Sequence, residues 1–114
     1  MDGAQTRLDT ATEATLTAQT QLDSAQATLD AKLADIDRQQ KLRRAELAKK
    51  PEDRDAAVLE STQDRLTTLA TEEVAARNDV ADKRRRLQAA QQRQQQAQAE
   101  LTQAKSRVAA TASG

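Results

Sequence analysis

Apolar residues recur along this chain at a spacing of seven. Leu59, Leu66, Val80, Leu87, Leu101 and Val108 fall on one heptad position, and Leu8, Leu22, Leu29 and Ile36 carry the same rhythm nearer the N-terminus. Ala11, Ala18 and Ala25 stand three residues after Leu8, Thr15 and Leu22. Likewise Ala76, Ala90, Ala97 and Ala104 stand three after Glu73, Leu87, Gln94 and Leu101. Spacing of three and four puts these positions on one stripe of a helix, and a sustained repeat with polar flanks marks helices wound on one another. The pattern predicts an all-α protein with a seam of alternating Leu-like and Ala layers. Alanine lets helices approach closely but buries little, since a buried methylene is worth about 0.8 kcal/mol. Modest stability follows. Glu73 and Gln94 interrupt the apolar position, which sets register at a cost in stability.

Pro51 is the strongest break in the pattern. It follows Lys49 and Lys50 and precedes Glu52, Asp53 and Asp55. Proline suits the first turn of a helix, where its missing N–H is not needed. Acids complement the start of a helix dipole and bases its end. The expectation is a single hairpin over residues 1–114, with helix one over 3–48, a turn near 49–51 and helix two over 51–111. At 1.5 Å per residue these helices would be roughly 70 and 90 Å long. The turn carries no Gly or Asn, so a kinked continuous helix is the competing reading.

Charge bears on that choice. The net charge is zero, yet it is sorted into blocks. Residues 1–37 hold two bases and seven acids, 38–50 six bases and one acid, 51–82 three bases and nine acids, and 83–114 seven bases and one acid. An antiparallel hairpin folded at Pro51 lays plus against minus, whereas a parallel in-register dimer lays each block on its own copy. Single exposed pairs contribute only about 0.2–1 kcal/mol, but blocks acting together choose orientation. The reading is a long antiparallel two-helix coiled-coil hairpin, with an antiparallel dimer of continuous helices as runner-up and homo-oligomerisation left open.

Composition narrows the chemistry. There is no Cys, His, Phe, Trp or Tyr, and 37% of residues are hydrophobic. Without aromatic side chains a compact globular core lacks its largest contributors. Disorder competes, because the chain is polar and highly charged, but regular heptads, abundant Ala, Gln, Leu and Arg, and only two Gly and one Pro favour helix. Absent His and Cys remove imidazole bases, thiol nucleophiles, disulfides and nearly every structural zinc site. No apolar run approaches the roughly 18 residues of a membrane span, and residues 1–10 lack a secretory-signal pattern. The expectation is a soluble chain, or a fragment of one, without catalysis, metal, cofactor or membrane insertion.

Three features bear on chemistry. Lys83, Arg84, Arg85 and Arg86 form the sharpest basic run. Such a run can bind phosphate or nucleic acid, but four consecutive residues splay around a helix, and nucleic-acid binders usually carry a net basic domain. A solvated or internally paired face is the better reading, with a nucleic-acid-associated helical protein kept as the alternative. Residues 88–103 hold eight Gln, read as a long polar helical face because the heptad continues through them. Asp35 and Asp37, Asp53 and Asp55, and Glu72 and Glu73 are carboxylate pairs. Residues one or two apart on a helix do not face each other, so these are read as ordinary solvated acids.

The stretch Arg65-Leu66-Thr67-Thr68-Leu69, followed by Val74-Ala75-Ala76-Arg77-Asn78-Asp79-Val80-Ala81, resembles the α-hairpin of bacterial membrane-fusion proteins, the periplasmic adaptors of export pumps. Those hairpins carry a pattern like R-L-x-x-L, then V-S and D-x-A, and Ala-rich coiled coil follows, as in Ala97-Gln98-Ala99-Glu100-Leu101. The resemblance covers under half of the chain. Ala75 stands where the family has Ser, and Glu72 or Glu73 where Gly is expected. It implies a periplasmic bridge to an export channel, with Arg65, Leu66 and Leu69 as tip contacts. Lys50-Pro51-Glu52 is also similar to the helix junction of type III secretion stalk proteins, which implies a cytoplasmic hairpin beside an export ATPase. Both resemblances imply a structural, protein-binding module of an export machinery.

Overall fold

The computed structural model describes residues 2–113, with side chains for residues 3–112. Helix α1 runs Asp2–Leu47, a single 3₁₀ turn covers Pro51–Asp53, and helix α2 runs Ala56–Ser113. The fold is an all-α, two-helix hairpin, and no strand occurs among the described residues. It divides into two compact units. The turn unit comprises Ser24–Val80; the terminal unit pairs the chain up to Asp23 with the chain from Ala81 on.

In the turn unit the connection explains both helix ends. The residue before a proline is driven to extended backbone, and Lys50 sits at φ −59°, ψ 147°. Pro51 then opens the 3₁₀ turn, and Arg54 is extended again at φ −74°, ψ 137°. Helix two was expected from residue 51; the α-helix instead begins at Ala56, because Asp55 supplies the cap. Its carboxylate oxygen accepts the N–H of Ala57 at 2.9 Å, as an N-cap aspartate does. Helix α1 ends without a glycine, and no described residue has positive φ. The Arg44 and Glu46 carbonyls accept the N–H groups of Ala48 and Lys49, and a side chain takes those of Leu47 and, beyond the helix, Lys49. Arg54 donates from Nη2 to the Leu47 carbonyl at 2.9 Å and from Nε to that of Lys49 at 3.1 Å, a substitute for the usual glycine cap.

The seam of this unit mixes apolar and polar layers. Ala25, Leu29, Leu69, Ala76 and Val80 are buried, and Leu69 has no exposed surface. Leu33, Ile36, Leu59 and Leu66 are half-buried. Thr62 and Glu46 are buried too. The Thr62 hydroxyl lies 2.8 Å from the Val58 carbonyl and 3.1 Å from that of Leu59, so its burial leaves no unmet donor. Lys32 Nζ stands 2.9 Å from Glu72 Oε2 across the seam, held by charge rather than by an aligned hydrogen bond.

The terminal unit is built on alanine. Ala4, Ala11, Ala18, Ala90 and Ala97 are buried, with Leu87 and Leu101 the buried large side chains. Ala18, Leu87 and Ala90 form one cluster, with Leu22 packed against it. Polar contacts bridge the helices here as well: Arg7 Nε meets Glu100 Oε2 at 3.0 Å at an exposed position, and half-buried Gln94 donates from Nε2 to Thr12 Oγ1 at 3.3 Å. Val108, at a heptad position, is half exposed.

Candidate functional site

Two helices and a connection of eight residues make up the described chain; the candidate surfaces lie on helix sides and at the turn. At the turn two charged side chains cross in opposite directions. Glu46, on α1, accepts the Asp55 backbone N–H on Oε1 and holds Lys49 Nζ at 2.9 Å on Oε2. Arg54, beyond the turn, returns to the α1 carbonyls. The Asp55 N–H, followed by the Lys49 hydrogen bond, holds the Glu46 carboxyl below the usual carboxylate range, against the opposing effect of burial. A charged acceptor with two donors favours its ionised form. Arg43 adds a second clasp, donating from Nη1 to the Leu59 carbonyl at 2.9 Å.

The residues that the adaptor resemblance assigns to a tip are placed elsewhere. The hairpin turns between Leu47 and Ala56, whereas Arg65, Leu66 and Leu69 lie in the third and fourth turns of α2. Leu69 is buried completely and Leu66 half-buried, because both occupy the seam. Arg65 is open but engaged: its Nη2 lies 2.8 Å from Asp35 Oδ2. That hydrogen bond is the main reason the Asp35 carboxyl is held below its ordinary value. A partner approaching this stretch finds Arg65 and part of Leu66, but not Leu69.

The basic run divides. Lys83 is partly buried and lies 3.9 Å from Asp82. Arg86 pairs with the same carboxylate at 3.1 Å. Arg84 and Arg85 point out into solvent. Four successive residues about 100° apart cannot share one face, so the run makes no single phosphate-sized cluster. The carboxylate pairs separate in the same way. Asp35 turns to Arg65, Asp37 to Lys41 at 2.8 Å, Glu72 to Lys32 and Glu73 to Arg77 at 2.8 Å. The Lys41 ammonium holds Asp37 below its usual range. No group of acids that would hold a metal ion is found among the described residues. No helix there is long and apolar enough to cross a membrane.

Sequence reasoning missed the Glu46 and Arg54 clasps and the Asp55 cap. Asp55 did carry a signal: an acid directly before Ala56-Ala57-Val58-Leu59 is a standard helix start, masked by the proline-acid cluster four residues earlier. Glu46 and Arg54 carried none, since their partners are backbone groups brought near only by the turn. No family model, no curated protein and no solved structure matches this chain.

Proposed function

We propose that this chain is a non-enzymatic helical interaction module, which offers the sides of its two helices to protein partners. The observation that carries the reading is the distribution of uncommitted apolar surface. Leu16, Leu42, Val74 and Val108 are 64, 49, 60 and 52% exposed along the helix sides, against 41% for Leu47 at the turn, where Glu46 and Arg54 are spent on backbone groups. A bacterial export machinery is the proposed setting. Of the two forms, an adaptor would dock through Arg65, Leu66 and Leu69, and the burial of Leu69 weighs against that contact. A stalk-like hairpin works through its sides, and the open positions agree with it. Arg84 and Arg85, both exposed, support nucleic-acid association as a second reading.

Photo-crosslinking residues placed one at a time at Leu16, Leu42, Val74 and Lys50 in the native cell test this. Crosslinks from the side positions to channel or ATPase components support the proposal. Crosslinks from Lys50 alone, or none, overturn it. Salt-sensitive binding of the purified chain to duplex DNA, abolished by R84E/R85E, would transfer the assignment to the second reading.

A further inference from the structure

Along one side of the terminal unit the two helices leave a furrow. Two cavities of about 410 and 370 Å³ follow one another and share Ala14 of α1 and Arg93 of α2. Their floor is small, with Ala11, Ala18, Ala90 and Ala97 buried beneath. Their α2 bank carries Arg86, Arg93 and Glu100, the last already paired with Arg7 of α1. Arg86 and Arg93 stand seven residues apart on it; Arg86 is spent on Asp82, whereas Arg93 makes no hydrogen bond or ion pair among the described residues. Such a furrow accepts a helix that carries an acid beside a branched apolar side chain.

One helix with that chemistry is α1 itself. Its outward face places Glu13 and Leu16 three residues apart, and Leu16, at 64%, is the most exposed large hydrophobic among the described residues. Glu13 is exposed and has no partner among the described residues. Residues three apart on a helix sit side by side, so a helix that lowers Leu16 between the alanines brings Glu13 to the bank where Arg93 stands. We propose that the furrow receives the α1 outer face of a second copy, with Leu16 seated over Ala14 and Glu13 paired to Arg93. Donor face and furrow are different surfaces, so the contact is head-to-tail and leaves a free face on one copy and a free furrow on the other. The zero net charge removes the repulsion that keeps many chains apart. About four helical turns span the furrow, roughly 24 Å. That is short of the roughly 800 Å² per partner of a standard interface, so association is weak and needs high concentration.

Sedimentation equilibrium of the full chain at about 50 mM salt, from ~10 µM to ~1 mM, reads the proposal. The wild type gains average mass with concentration. R93E and E13R each shift that rise at least tenfold upward, since each sets like charges together, at about 1.4 kcal/mol per tenfold. Mixing the two variants restores it, because the arginine introduced in one copy then meets the glutamate introduced in the other. L16S, on an exposed position, weakens association while leaving helicity unchanged by circular dichroism. A wild type that stays monomeric to ~1 mM overturns the proposal. So do single variants that associate like wild type, or a mixture that fails to recover.

Discussion

In the terminal unit the heptad position that begins at Ala4 continues as Ala11 and Ala18; in the turn unit the same position reads Ala25, Lys32, Gln39 and Glu46. One register thus carries two chemistries. Alanine layers pack helices closely without specifying which turn faces which, since each layer looks like the next. Lysine over glutamate at 2.9 Å, arginine over aspartate at 2.8 Å, and Glu46 on a backbone N–H are contacts that differ from one turn to the next. Polar seam groups generally cost stability and add specificity of register. Polar contacts therefore align the helices within the turn unit, and within the terminal unit the packing repeats on alanine.

The comparison is broken most strongly by removing the apolar anchor of the polar half. Leu69 is fully buried, and Leu69→Ala should cost about 2–3 kcal/mol, the low end for core leucines because a thin seam can collapse around the gap. Urea denaturation gives the value; a change below about 1 kcal/mol would mean the turn unit is held by its charges. The reverse error is to enlarge the alanine seam. Ala97 is buried, and Ala97→Leu should destabilise by about 1–2 kcal/mol through overpacking, where a globular core with spare volume would gain. The same denaturation series tests the sign. A smaller effect belongs to Asp55→Ala, which removes the α2 cap and should cost about 1 kcal/mol. Loss of amide protection at residues 56–60 in hydrogen exchange should accompany it. Asp53→Ala serves as the control: that acid belongs to the 3₁₀ turn and should change little.

Two helices and most seam positions could be read from the heptads, because a period of seven states which face is buried whatever lies opposite. Block charge pointed to the same orientation, but the ion pairs that cross the helices use the minority sign of a block: Arg7 with Glu100, Lys32 with Glu72 and Arg65 with Asp35. Short-range polar chemistry did not follow. Lys83 looked like part of a basic run, yet it takes a seam position, since its place in the heptad outweighs its charge. Leu66 and Leu69 looked like contact residues by resemblance, and the seam claimed both. Helix α2 starts five residues later than Pro51 suggested, because a cap at Asp55 and a clasp from Glu46 define that end. Such contacts join groups nine or fewer residues apart through a turn whose path no periodicity describes.

The central claim is that ionised side chains align the turn unit while alanine packing holds the terminal unit. Asp35, Asp37 and Glu46, all in the turn unit, have carboxyls held below their ordinary values by Arg65, Lys41 and the Asp55 N–H. A carboxyl whose folded pKa lies below its unfolded value adds stability above the unfolded value, near about 4, and loses that contribution as pH falls through the folded one. Residue-resolved hydrogen exchange between pH 7 and pH 3, corrected for intrinsic rates, measures this in both units at once. Protection should hold to about pH 4 throughout, then fall selectively around residues 35–46 and 55–72, while residues 11–22 and 87–101 change less. Equal loss in both units, or loss beginning in the alanine seam, would contradict it.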